Sequence, residues 1–460
     1  MLNLQMRTAI VPAPSASKFD AFVSDVNGAF RPLIAPTLGS QSAVLGFPLG
    51  VLRPRQQHNR VDEFTYRRPI EKAEVFTDGT SLFVITLTRE KRHQRVQFAT
   101  STGLVEEVEE KPPQLEVDLY YIGPDLHSPR LAAFESAANK AFSVELKAHQ
   151  YTSDRFDELL AEGRTPPEAP ATFELTSSLM LQDHDLRGLA LAIKASGGLL
   201  VRDLPKQLRA EARDRSQELQ GRLTSSALVT SEIVVLCSKT QAQTLRLPSM
   251  QTLSELSSRG LKCACGKPIA EERAEEALTI SDEGRALLER SRWLTILVLN
   301  ELATAGIPIS RMLIEQQAGG DEIDLLADIS GELVMFELKD KEFNLGNAYS
   351  FGAKIGIIRP QHPVIVSTEY VGGDAKDHFL RARLARPRTA RTFLTEDEDD
   401  RTPIRYIEGL DTLSAGIRNL AADIYSSDAI RILGPVLQLA SIDPRSIVEA
   451  MAGRQTIPIA

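Results

Sequence analysis

Asp324, Glu337 and Lys339 are residue types that can hydrolyse a phosphate ester, provided the chain brings them together. Glu337 and Lys339 lie in an apolar, strand-like run ending at Lys339, and a second such run spans Glu322 to Ile329. Ser330-Gly331 between the runs reads as a two-residue hairpin loop. That loop sets Ile329 opposite Glu332 and, counting outward, Asp324 opposite Glu337. Side chains alternate faces along a strand, so Asp324, Glu337 and Lys339 share one face, while Val334, Phe336 and Leu338 bury against a helix on the other. Two opposed carboxylates repel each other, and a fold that keeps them together normally holds a cation between them. Oxygens of Asp324 and Glu337, with a backbone carbonyl, suit Mg²⁺ or Mn²⁺. Such an ion activates a water and offsets charge on a phosphate, while the Lys339 ammonium orients the water or stabilises developing charge. A competing reading pairs Lys339 with Glu322, which the same register places opposite it, and leaves the carboxylate pair unexplained.

The three cysteines form a second cluster. Cys237, Cys263 and Cys265 are the only ones in 460 residues and fall in one stretch. Lys262-Cys263-Ala264-Cys265-Gly266 resembles one knuckle of a zinc ribbon, in which close thiolates accept backbone N–H groups. A ribbon has four ligands. The position three after Cys237 is Thr240, however, and no histidine lies between 185 and 361. A degenerate ribbon is expected, with structural Zn²⁺ as the alternative, and the Cys237 sulfur is expected near the other two in either case.

Further elements must position the acidic pair. Trp293 to Ala305 reads as a helix with Leu294, Val298 and Ala305 on its apolar stripe, and Glu301 falls inside that stripe. A carboxylate aimed at a sheet needs a metal or a partner; the alternative is a boundary glutamate reaching water. Phe343 to Ile358 reads as a helix on which Asn347, Ser350 and Lys354 share a face, open to a phosphate backbone or simply wet. Pro363 to Thr368 reads as a buried strand.

Asp324, the hairpin and Glu337-Leu338-Lys339, with these flanking elements, resemble the PD-(D/E)xK superfamily, especially its Mrr-like and archaeal Holliday-junction-resolvase-like branches. The resemblance covers residues 291–395, with Ile323 where the family name has proline. It implies a restriction-endonuclease-like αβββαβ mixed-sheet core, Mg²⁺-dependent nuclease activity, and Glu301 as an acidic residue completing the metal site.

The rest of the chain reads as separate modules. Residues 1–170 are expected to form an α+β domain with a hairpin, Ala73 to Leu87, turning at Asp78-Gly79; Glu162 to Pro170 is a linker. Residues 171–250 resemble a winged-helix domain: a helix through Leu186, Leu189, Ala190 and Ile193, a long helix from Leu204 to Leu223, then strands Ala227 to Cys237 and Thr244 to Leu247. Lys206, Arg209 and Arg213 would share a face of the long helix and meet nucleic acid, or form a solvated stripe with Glu211, Asp214 and Glu218. Residues 251–290 hold the ribbon-like segment, and 396–460 a helical appendage. Arg381, Arg383, Arg386, Arg388 and Arg391 precede the acidic run Glu396 to Asp400; they either track a phosphate backbone or pair with that run.

Composition bounds these readings. Hydrophobic content of 42% and charged content of 25% belong to a globular α/β multidomain chain. A net charge of -9 excludes indiscriminate coating of nucleic acid, so contact must come from local basic patches. No apolar run of about 18 residues, no leader pattern at Met1 to Pro14 and few cysteines predict a cytoplasmic protein with no membrane partner. No Gly-rich Lys-Ser/Thr phosphate loop suggests an ATP-driven motor. The expected function is a metal-dependent endonuclease acting on nucleic acid, with DNA favoured, in genome defence or repair and open to protein partners. A non-catalytic nucleic-acid-binding or scaffold protein that retains a nuclease fold is the alternative.

Overall fold

The computed structural model describes residues 2–12, 15–33, 50–51, 68–89, 114–125, 127–149, 151–318, 321–385, 403–437 and 443–452. Its architecture is mixed α/β with three sheets. The first contains β1 (Asn3–Pro12), β2 (Arg31–Pro32), β3 (Gly50–Val51), β4 (Arg68–Thr77), β5 (Leu82–Arg89), β6 (Gln114–Gly123) and β7 (Lys147–His149). They run in the order β2-β4-β5-β6-β1-β7, with β3 also on β4, and every pairing is antiparallel. Helices α1 (Ala16–Val26) and α2 (Pro129–Phe142) cover one face through Phe19, Phe22, Phe134 and Phe142, which bury against Phe76, Phe83 and Tyr121. The β4–β5 hairpin turns at Asp78-Gly79, where Gly79 takes φ +95 and the Asp78 carboxylate accepts the N–H groups of Thr80 and Ser81.

Helices α3 (Asp154–Ala161), α4 (Thr172–Met180) and α5 (His184–Ser196) lead to β8 (Leu199–Leu200). The continuous helix expected from Leu204 to Leu223 does not form. The chain makes α6 (Leu204–Gln207), becomes extended at Leu208 and Arg209, makes a 3-10 turn over Ala210–Arg215, and resumes as α7 (Ser216–Ser225). Burying Leu204, Leu208 and Ala212 in the same core as Leu219 and Leu223 outweighs local helix propensity. Then follow β9 (Val229–Leu236), β10 (Gln243–Leu247), α8 (Met250–Ser258) and β11 (Arg273–Ile280), in an antiparallel sheet ordered β10-β9-β11-β8.

The third sheet holds the acidic pair. After α9 (Asp282–Leu288) and α10 (Arg292–Thr304) come β12 (Met312–Ala318), β13 (Asp321–Ile329), β14 (Glu332–Lys339), α11 (Leu345–Ile358), β15 (His362–Ser367), α12 (Gly373–Ala385) and β16 (Arg405–Glu408). The strands lie in that order, antiparallel from β12 to β14 and parallel from β14 to β16. Strand β16 falls in the stretch read as helical. The 25-residue helix α13 (Leu413–Leu437) follows it, and α14 (Pro444–Met451) closes the described chain. The first half of α13, through Leu413, Ile417, Leu420 and Ile424, packs with α10 against Leu325, Phe336 and Leu338. Its second half, through Ala429, Ile432, Leu433 and Val436, packs against Val75, Val84 and Tyr120 of the first sheet. One helix therefore ties the N-terminal sheet to the sheet of the acidic pair. Among the described residues, no helix is long and apolar enough to cross a membrane.

The β13–β14 turn fixes the register. Ser330 and Gly331 take φ +56 and +86, the two left-handed positions of a tight hairpin, and Ile329 stands opposite Glu332. Asp328 accepts the N–H groups of Gly331 and Ser153 at 2.9 Å each, and Ser330 donates to Asp428 at 2.6 Å. A Cβ on Gly331 would lie 3.2 Å from the Tyr151 Cβ. Gly331→Ala therefore combines φ strain with a tight contact, and a loss of about 1–2 kcal/mol is expected in denaturant unfolding.

Candidate active site and a thiolate cluster

Glu337 is 2% exposed, on the sheet face beneath α11, beside the buried Leu333 and Met335. Its Oε1 is 2.9 Å from the Nζ of Lys339, and its Oε2 is 2.7 Å from the Nζ of Lys354 on α11. The regular β13–β14 ladder ends at Leu325 opposite Phe336. One residue beyond it, the Asp324 side chain takes over, its Oδ2 accepting the Leu338 N–H at 2.7 Å. Burial, and then the charge of Glu337, push the Asp324 carboxyl up to about 6, against the opposing pull of Lys339 and Lys354. Burial works against the Lys339 ammonium, but Glu337 and Asp324 outweigh it and raise its pKa. The Lys339–Glu322 pair does not form: both Glu322 oxygens meet Arg290 at 2.8 Å. Asp324, Glu337, Lys339 and Lys354 thus form one cluster of interacting charges.

A stability signature follows for the metal-free protein. Because the folded Asp324 pKa lies above its unfolded value, the folded state binds the proton more tightly between roughly pH 4 and 6. This group's contribution is largest at acid pH and is lost as pH rises through 6. Wild type should therefore gain on Asp324→Asn as pH falls from 7 to 5, read as the difference between their chelator-treated melting temperatures.

Several expected site residues lie elsewhere. Lys354 does not face a phosphate backbone from a wet helix face; it is 7% exposed and paired with Glu337. The signal was present, since Lys354 stands three after Phe351 and four before Ile358, within the apolar stripe of α11. Asn347 is occupied as a helix cap, exchanging hydrogen bonds of 3.1 Å with Asn344, and Ser350 is exposed. Glu301 is half-buried on α10, whose buried side chains join the core of Leu325 and Phe336 on the opposite sheet face. It forms no ion pair with Lys339 or Lys354, the two lysines that hold Glu337. The break at Leu208 separates Lys206 from Arg209 and Arg213, and no common helical face results. Lys206 pairs with Asp203 at 2.6 Å, Arg209 meets the His184 ring at 2.8 Å, and Arg213 is exposed. Arg381 is exposed on α12, while Arg386, Arg388, Arg391 and the acidic run Glu396 to Asp400 lie outside the described residues.

Sequence reasoning missed Asp340. Its Oδ1 lies 3.0 Å from the Nε of Arg187 on α5, and its Oδ2 accepts from the Trp293 indole at 3.3 Å. The Arg187 guanidinium sits 5.0 Å from the centroid of that indole ring. This ion pair pins the end of β14, next to Lys339, to α5.

The cysteines converge. The sulfurs of Cys237, Cys263 and Cys265 and a carboxylate oxygen of Glu272 all lie within 4.8 Å of one another. Cys237 follows β9, in a turn closed by Gln241 N–H to Cys237 O at 2.8 Å and Cys237 N–H to Ala242 O at 2.9 Å. Cys263 and Cys265 occupy a second turn closed by Gly266 N–H to Cys263 O and Cys263 N–H to Lys267 O, both 2.8 Å, with Gly266 at φ +94. The fourth group is neither Thr240 nor a histidine. A search for a fourth ligand among cysteines and histidines passes over Glu272, just before β11.

No family model and no curated protein matches the chain. Among solved structures, it is similar to the crystal structure of protein VC1899 from Vibrio cholerae, at 15% identity and a TM-score of 0.27, over 57% of this chain and 58% of that one. The chain thus spans less than two thirds of that protein's length, and a likeness of this extent carries no argument about fold or function.

Proposed function

We propose that the chain is a metal-dependent phosphodiesterase of the PD-(D/E)xK kind, with a restriction-endonuclease-like core from α10 to β15 and nucleic acid, DNA foremost, as substrate. The observation that carries this reading is the Asp324–Glu337 pair: two carboxylates from neighbouring strands, held together in poor solvation, with Lys339 on one of them. The element order helix, three antiparallel strands, helix, parallel strand supports it. The helices ahead of the β9–β10 hairpin support a winged-helix-like module for substrate or partner contact.

Hard carboxylate oxygens beside one another fit Mg²⁺ or Mn²⁺, and Asp324 and Glu337 would hold it. A divalent ion there supplies charge neutralisation at the phosphate and acidifies water. Lys339 is partly exposed, so its ammonium is free to turn from Glu337 to a phosphate oxygen and stabilise negative charge there. Lys354 is buried; it holds Glu337 in place and keeps its charge matched.

One observation favours the alternative, a binding or scaffold protein: both Glu337 oxygens are already met by ammonium groups. Calorimetric titration with Mn²⁺ separates the two. The nuclease reading expects a binding event in wild type that Glu337→Gln removes, while a neutralised scaffold site shows the same heat in both proteins.

A further inference from the structure

We propose that Cys237, Cys263, Cys265 and Glu272 form a closed four-ligand site for a structural Zn²⁺. The assignment rests on no part of the nuclease reading.

Four ligand atoms from three chain segments meet within 4.8 Å. Tetrahedral zinc with Zn–S near 2.3 Å and Zn–O near 2.0–2.2 Å places its ligand atoms roughly 3.5–3.8 Å apart, so side-chain shifts of about an ångström complete the site. Cys237 and Cys263 are 4% exposed and Glu272 6%, and Cys265 alone is half-buried, so three of the four ligands are shut away from solvent. Such a site is structural in character. Three thiolates favour a borderline or soft cation over Mg²⁺ or Ca²⁺, and one carboxylate among them is compatible with zinc. Both thiol-bearing turns have their backbone hydrogen bonds closed, so the sulfurs are presented by preformed loops.

The surrounding core explains what the ion does. The local cluster consists of Val235, Cys237, Leu247, Leu253, Cys263 and Ile269, and two of its members are themselves ligands. A cluster of that size contributes little by burial at this end of the sheet, where Ile233, Leu245, Leu256 and Ala274 only partly cover it, and an ion joining Cys237, Cys263, Cys265 and Glu272 staples the β9–β10 turn to the segment ahead of β11. The Cys265 thiol donates to Glu272 at 2.9 Å, and the Ser238 N–H donates to the other carboxylate oxygen at 2.6 Å. Zinc displaces the Cys265 proton, the Ser238 bond remains to orient Glu272, and binding releases protons. A disulfide would join only two of the sulfurs and leave the third beside a buried carboxylate.

Elemental analysis of the purified full chain, with Co²⁺ titration of the chelator-treated protein, tests the site. The expected result is one zinc ion per chain, a tetrahedral thiolate–Co²⁺ spectrum, and proton release on titration. Glu272→Gln should bind Zn²⁺ at least about tenfold more weakly than wild type in competition with a chelating dye, because a charged ligand is lost. Cys263→Ser should lose the ion and the Co²⁺ spectrum; if that variant does not fold, the wild-type titration decides. A protein that takes up neither Zn²⁺ nor Co²⁺ while its three thiols react freely overturns the proposal. So does a disulfide among these cysteines, or a Glu272→Gln protein that binds Zn²⁺ as tightly as wild type.

Discussion

Asp324→Asn is expected to abolish nucleic-acid cleavage while leaving the fold and substrate affinity in place. The substitution keeps the shape of the side chain and removes its negative charge. An amide oxygen can still accept the Leu338 N–H that Asp324 accepts at 2.7 Å, so the end of the β13–β14 ladder is retained. Glu337 loses a repelling neighbour, and the metal-free protein becomes no less stable near neutral pH. A hard divalent ion, however, loses one of its two charged oxygens. The expected deficit is about a thousandfold or more in single-turnover rate, roughly 4 kcal/mol of transition-state stabilisation. Binding measured by fluorescence anisotropy should change far less than the rate, because a nucleic acid of many phosphates meets the metal held by Asp324 and Glu337 at only one of them. A variant that cuts as fast as wild type removes Asp324 from the site.

Lys354→Met produces the largest expected change in stability. The lysine is buried, and its ammonium is 2.7 Å from Glu337, which is itself 2% exposed. Removing it leaves a buried carboxylate with Lys339 alone, beside a second carboxylate that already repels it. Breaking one side of a buried pair costs about 3–5 kcal/mol, and chemical denaturation should show a loss in that range. Two further measurements separate this cause from simple misfit. Glu337→Gln in the same chain should recover most of the loss, because no unpaired charge then remains. Mn²⁺ should raise the melting temperature of Lys354→Met more than that of wild type, because the ion replaces the missing positive charge. If neither recovery occurs, Lys354 acts as packing rather than as a charge partner.

These two residues also show what the sequence made legible. The hairpin could be read because Ser330-Gly331 demands positive φ at two consecutive positions, and that demand sets the register from which Asp324 meets Glu337. Local chemistry of this kind depends on few distant contacts. Lys354 was placed wrongly because a lysine is ordinarily read as wet, although its spacing from Phe351 and Ile358 put it on the apolar stripe. Periodicity gives the apolar face of α10 but not the side of the sheet it covers, and the buried side chains of α10 join the core on the face opposite Glu337. The four-residue strand β16 is too short to show alternation and forms only because β15 offers it a parallel edge. The broken helix at Leu208 and the approach of Glu272 to the three sulfurs are likewise set by tertiary contacts.

Incubation of the purified full chain with supercoiled plasmid, single-stranded DNA and RNA, each in Mg²⁺, Mn²⁺ or EDTA, tests the central claim most directly. Cleavage of at least one substrate is expected with a divalent ion, and none in EDTA. If every substrate stays intact with both ions, or is cut equally well in EDTA, Asp324, Glu337 and Lys339 are not a metal-dependent nuclease site.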